Sequence, residues 1–210
     1  MPAPRPGDLF AVTLPDGRYA TGRVTFDVRA QGLRPGHITD DSPLAFFSGA
    51  LLVDLYGVVL EAPAAQRGDR IVPGVFVTSA AFRSGALPIV GHEAVDPEEV
   101  EFPETFAQVQ GRLCFQRGEV VLPLDEHREA FESVQVYPTI LRAEALPEVA
   151  AHYLEAAGLL EGGGADHDLG YADLRFTDRR EAVYEALGER PDASYAAFAR
   201  RHGHDVARFF

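Results

Sequence analysis

A chain of 210 residues, 46% of them apolar, is long enough for one large domain, or one domain with a small appendage, and needs no metal or disulfide to build its core. The single cysteine, Cys114, excludes an internal disulfide and a multi-cysteine zinc site, while the longest apolar run, Ala50 to Leu60, is interrupted by Asp54 and too short to span a bilayer. The net charge of -13 repels nucleic acid and suits either basic partners or solubility alone.

The opening MPAPRPGD lacks the apolar core of a signal peptide, so a cytoplasmic location is expected. Charge is unevenly placed. Residues 171–210 hold seven arginines and seven acids, so the first 170 residues carry the whole excess. All nineteen basic residues are arginine, a composition bias from which nothing functional follows.

The stretch Gly7 to Val28, GDLFAVTLPDGRYATGRVTFDV, reads as a hairpin turning at Pro15-Asp16-Gly17. If Leu14 and Arg18 close the loop, Val12 falls opposite Ala20, Phe10 opposite Gly22 and Asp8 opposite Val24. Alternation puts Phe10, Val12, Leu14, Ala20, Gly22 and Val24 on an inner face, and Ala11, Thr13, Tyr19, Thr21 and Arg23 on an outer one. Gly22 leaves room for the Phe10 ring.

Arg29 to Pro43 reads as an exposed connection, and Leu44 to Leu60 as two strands or one bent strand broken at Ser48-Gly49; length alone allows a helix, but repeated Val, Phe and Tyr with Gly57 favour strand. Ile71 to Thr78 contains Pro73 and is expected at a sheet edge, with a further short strand at Leu87 to Val90. Gly91 to Glu104 holds six acids and two prolines, with no basic residue between Arg83 and Arg112, and is expected to be extended and solvated. A second hairpin, turning near Arg117-Gly118, is expected within Phe106 to Val121, and Ser133 to Leu141 reads as a last strand.

The period then changes. Pro147 to Leu160 has helical spacing, Glu161 to Gly170 is a flexible break, and Thr177 can cap a helix ending at Gly188. Asp192 can cap another that carries Tyr195, Phe198, His202 and Val206, with Gly203 near its end. The expected fold class is α+β, with an antiparallel β-rich part over 1–145, a bent sheet or partly open barrel, and helices over 146–210 packed on it as one unit.

Several constellations can carry chemistry. The acids Glu93, Asp96, Glu98, Glu99, Glu101 and Glu104 suit a contact surface for a basic protein or simply keep a loop soluble. His202-Gly203-His204-Asp205 and Asp166-His167-Asp168 offer metal donors but follow no known ligand spacing, so no metal is expected. Cys114 lies in an alternating strand as a small apolar residue, and no GxSxG elbow occurs. Gly162 to Asp166 lacks the lysine and hydroxyl of a phosphate loop, so no cofactor is implied. Asp54 interrupts an apolar run, either as a buried functional carboxylate or at a sheet surface beside Tyr56. The tail SYAAFARRHGHDVARFF has a faint helix-turn-helix character, but its arginines are balanced by acids and duplex binding is mainly electrostatic.

The hairpin GDLFAVTLPDGRYATGRV resembles the opening of the bacterial immunity protein 26 family, and GVFVTSAAFRSGALPIVGHEAVDPEEVEFPE, from Gly74 to Glu104, has a similar character. The resemblance does not extend to the helical tail. It implies a non-catalytic protein that binds a cognate bacterial toxin; a nuclease with a basic active face would suit an acidic blocker. The expected contact surface is Tyr19 with Glu93 to Glu104. The rival reading is a small enzyme or ligand-binding domain with a β-lined pocket that uses Asp54 and a histidine.

Overall fold

In the computed structural model, residues 3–131, 133–161 and 167–210 are described. The first hairpin has the register that its turn dictates. Strands β1 (Asp8–Thr13) and β2 (Tyr19–Asp27) pair with Phe10 opposite Gly22 and Val12 opposite Ala20. Leu14 N–H donates to the Arg18 carbonyl at 2.7 Å, and Gly17 takes φ +90°, a conformation that glycine adopts without strain. A Cβ on Gly22 would stand 2.3 Å from Phe10 Cζ, which is why the ring opposite requires glycine there.

Strands β3 (Ala50–Leu60) and β4 (Arg70–Thr78) extend this ribbon, and β5 (Ile89–His92) joins its other side, giving the order β4-β3-β2-β1-β5. The Pro73 strand is at the edge, where the missing N–H breaks no internal ladder. A second sheet is a meander of β6 (Glu104–Val109), β7 (Arg112–Arg117) and β8 (Val120–Pro123). Short helices α1 (Ala80–Arg83) and α2 (Arg128–Phe131) lie in connections, followed by α3 (Leu146–Ala156), α4 (Arg180–Leu187) and α5 (Tyr195–Arg201). The fold is α+β, with two antiparallel sheets and no closed barrel among the described residues.

The five-stranded sheet is covered on both faces. Its inner face, including Phe10, Val12, Val24, Val53 and Leu55, packs on Leu146, Val149, Ala150 and Leu154 of α3. Phe26, Leu52 and Phe76, on the opposite face, join a second core with Phe102, Phe115, Tyr184, Tyr195 and Phe198, which ties β6–β8 to α4 and α5. The expectation of a solvated outer face on the first hairpin is therefore corrected: Ala11, Thr21 and Arg23 are buried. Alternation assigns faces, whereas the segments that cross over the second face decide its exposure.

Other expectations are also revised. Leu44–Phe47 is no strand; Pro43–Phe47 forms a 3-10 turn because the Ser42 hydroxyl accepts from Leu44 N–H and Pro43 presets the first turn. Val28–Leu33, expected as plain connection, is a short π-helix capped by Asp27. The second hairpin turns at Gly118 as expected, and a further turn at Gln110-Gly111 separates β6 from β7. Ser133 to Leu141 forms no strand. Pro138 lacks a donor within it, and only the single parallel bridge Val77–Leu141 is made.

In the tail, α3 carries Pro147 in its first turn, and α4 ends at Gly188 in the left-handed conformation. Helix α5 is capped by Ser194 rather than Asp192, whose carboxylate binds Arg190 instead. Gly203 takes φ +81° just beyond it. Half of the break expected at Glu161 to Gly170, residues 162–166, lies outside the described residues.

Candidate functional site

The acidic segment after β5 does not lie free in solvent. It makes a 3-10 turn at Pro97–Glu99, capped by Asp96, and then buries Val100 and Phe102, whose apolar side chains anchor it to the core. Anchoring brings its carboxylates onto arginines from both ends of the chain, in two clusters.

The first is built on the sheet. Arg23 of β2 and Asp54 of β3 face each other in register, both with fully buried side chains. Arg23 Nη2 donates to Glu99 Oε2 at 3.0 Å and lies 3.9 Å from Asp54 Oδ2, while Arg70 approaches the same oxygen at 3.7 Å. Asp54 Oδ1 accepts from Gly74 N–H at 2.9 Å. Arg67 pairs with Glu93 and reaches Glu99 at 3.6 Å, its guanidinium lying over the Tyr56 ring. Burial pushes the Asp54 carboxyl up, against the pull of Arg70, Gly74 N–H and Arg23. It likewise pushes the Tyr56 hydroxyl up to about 12. Glu99 is held below the ordinary carboxylate range by the hydrogen bond from Arg23.

The second cluster joins the acidic segment to the tail. Glu104, fully buried, accepts from Arg180 Nε and Nη2 at 2.7 and 2.8 Å and from the Tyr184 hydroxyl at 2.9 Å. Arg117 donates to Glu101 at 2.7 Å, to Tyr184 at 3.1 Å and to the Ala193 carbonyl at 3.0 Å. Asp173 accepts from Glu104 N–H at 3.2 Å and from Arg175 Nε at 2.8 Å, and Arg175 reaches the Gly74 carbonyl at 2.8 Å. Burial alone would raise Glu104, but the Arg180 hydrogen bond and the charges of Arg117 and Arg175 hold its carboxyl below the ordinary range. A groove of about 470 Å³ opens between the clusters, lined by Arg70, Glu101, Arg117, Arg175, Arg180 and Asp192.

The six acids expected at the surface thus fare differently. Glu93, Asp96 and Glu98 are exposed, with Glu98 bound to Arg200 of α5; Glu99 and Glu101 are half-buried, and Glu104 is buried. Tyr19 is half-buried at the start of β2, opposite Thr13 and Leu60. Asp54 is hydrogen-bonded to Gly74 N–H and ion-paired to arginines, with no histidine among its partners.

The histidines pair separately: His92 with Asp8 at 2.9 Å, His202 with Glu189 at 3.0 Å and His167 with Glu148 at 2.6 Å. No group of three or more donor side chains is placed to hold a metal ion among the described residues. Cys114 is buried, and burial pushes its thiol up, away from the thiolate that a nucleophile needs. Asp166 and the glycine run before it lie outside the described residues.

Sequence reasoning missed Arg23, Arg117, Asp173, Arg175 and Arg180. A signal for two of them, Arg175 and Arg180, was present: an acid segment without basic residues and a tail of seven arginines are complementary, so each can neutralise the other. For Arg23 the only hint was its place in an otherwise apolar ribbon.

The arrangement defines an α+β protein in which ionisable groups near the core are tied into ion pairs that brace two sheets and helices α4 and α5. Residues 5–114 match the family model described as Immunity protein 26. That span is just over half of the chain, and the chain belongs to the immunity protein 26 family. Membership gives it the general role of an immunity protein, which implies binding of a cognate toxin. A search of curated proteins and a search of solved structures gave no match.

Proposed function

We propose that this is a non-catalytic immunity protein of a polymorphic toxin system, which binds its cognate toxin in the cytoplasm and neutralises it through an acidic surface. The observation that carries the reading is the family match over residues 5–114. The geometry supports it. The carboxylates and arginines between the sheets and the tail are joined to one another, an arrangement suited to a stable scaffold. No helix among the described residues is long and apolar enough to cross a membrane.

Charge favours a basic toxin, such as a nuclease, because complementary fields speed encounter and reject wrong partners. Within the segment Glu93 to Glu104, the side chains that reach solvent and can meet such a partner are Glu93, Asp96, Glu98 and Glu99, three of them already paired with arginines, with Tyr19 a further contact; Glu101 and Glu104 act by holding the segment in place.

The test is co-expression with the toxin encoded by the neighbouring reading frame. Cells carrying both proteins are expected to grow, and cells carrying the toxin alone to die. Death in both cases would overturn the reading. Charge reversal at Glu93, Asp96 and Glu98 together is expected to slow association at low salt, and an unchanged rate would remove that surface.

A further inference from the structure

Two exposed tyrosines lie on neighbouring backbone segments well beyond residue 114, where the family match ends. Tyr137 and Tyr171 are 58% and 54% exposed, and they are joined by Tyr137 N–H donating to the Tyr171 carbonyl at 3.0 Å. Pro138 and the Thr139 hydroxyl, which donates to the Tyr137 carbonyl at 2.8 Å, stiffen the backbone beside them. Tyr171 lines a groove of about 470 Å³ with Thr139, Ile140, Arg142, Glu144 and Glu148. Leaving two large aromatic rings in water forgoes apolar burial.

The charge of the surrounding segment identifies what covers them. Residues 125–168 contain ten acids against two arginines, so 44 residues hold -8 of the -13. The contrast with the segment Glu93 to Glu104 is direct: there Glu93, Glu98, Glu99, Glu101 and Glu104 are each paired with an arginine, and Asp96 caps its own turn. At the tyrosine groove, Glu148 pairs with His167, and the single arginine in the lining, Arg142, stands against two acids, Glu144 and Glu148. An arginine-paired carboxylate is already neutralised, and of the net charge the larger share, -8 against -5 for residues 1–124, lies in the later segment.

We infer that the exposed Tyr137 and Tyr171, with the groove that Tyr171 lines, form the central contact for an arginine- or lysine-bearing face of the partner protein, with Glu144 and Glu148 as its acidic rim. Tyrosine supplies large contact area with few rotatable bonds and takes a cation over its ring, which makes it a common centre of binding energy. The family-matched part then serves as the shared scaffold, and the segment beyond it carries the choice of partner. This inference rests on the immunity reading and gives that reading a location.

The experiment titrates the full chain with the catalytically inactivated toxin domain encoded by the neighbouring reading frame. Replacing both tyrosines, Y137A with Y171A, is expected to weaken binding by about 30-fold or more, whereas Y137F with Y171F keeps the rings and most of the affinity. The pair E144R with E148R is expected to slow association and reduce its dependence on salt. Wild-type binding that both the alanine and the arginine pairs leave within about threefold would overturn the location and spare the immunity reading. No binding by the wild-type chain would overturn the immunity reading, and the location with it.

Discussion

Gly74 is where the two ion-pair clusters meet. Its N–H donates to Asp54, its carbonyl accepts from Arg175, and its φ of +59° lies in the left-handed region. A Cβ there would stand 1.8 Å from the Glu101 carbonyl oxygen, so G74A forces backbone away from backbone as well as straining φ. Gly17, at φ +90°, has nothing within 4 Å of such a Cβ. The account expects G17A to cost about 1 kcal/mol and G74A at least about 3 kcal/mol, measured by urea unfolding. Equal costs would mean that the Gly74 contact relaxes freely.

Glu104 makes the same point with charge. E104Q leaves Arg180 and Arg117 facing a neutral group in a buried site, a loss of about 3–5 kcal/mol. Because its folded value is depressed, the contribution of Glu104 is full above its unfolded pKa and disappears as pH falls through the folded one. The stability gap between wild type and E104Q should therefore be wide at neutral pH and close in acid. Asp54 has the opposite sign: burial raises its folded value, so its contribution is greatest at low pH and is lost as pH rises through that value. D54N should gain on wild type in the same direction. Urea midpoints collected across pH check both signs.

At the scale of elements, the first hairpin was legible because turn chemistry and alternation agree: Pro15-Asp16-Gly17 sets the register, and the apolar set then lies on the face that α3 covers. What covers the other face was not legible, since Arg23 is buried by segments far away in sequence. Ser133 to Leu141 shows the limit of strand propensity. Val134, Val136, Tyr137 and Ile140 favour a strand, yet Pro138 and the adjacent Leu141 bridge settle the segment into an extended connection. The turn at Gln110-Gly111 was hidden because glutamine rarely takes φ +52°. Asparagine tolerates that region better in a two-residue turn, so Q110N should stabilise the protein by about 0.5 kcal/mol in thermal or urea unfolding. A loss of stability would contradict the turn geometry.

For the whole molecule, the tail completes both cores. Helix α3 covers the five-stranded sheet, while Tyr184, Tyr195, Phe198 and Phe209 complete the core around Phe26 and Phe102. A chain ending at residue 145 is therefore expected to show no sharp thermal transition by circular dichroism; a cooperative one would mean that the first part folds alone. The candidate site was half legible on this scale. The acids at 93–104 were visible as a charge run, but pairing with distant arginines depends on the tertiary fold, as does the exposure of Tyr137 and Tyr171.

The central claim is that the protein neutralises by occupying its partner. Titrating the active toxin from the neighbouring reading frame with purified protein tests it most directly. Inhibition that grows in proportion to added protein and completes at an equimolar end point is predicted. Full inactivation by substoichiometric protein, or toxin activity undiminished at excess, would contradict the account.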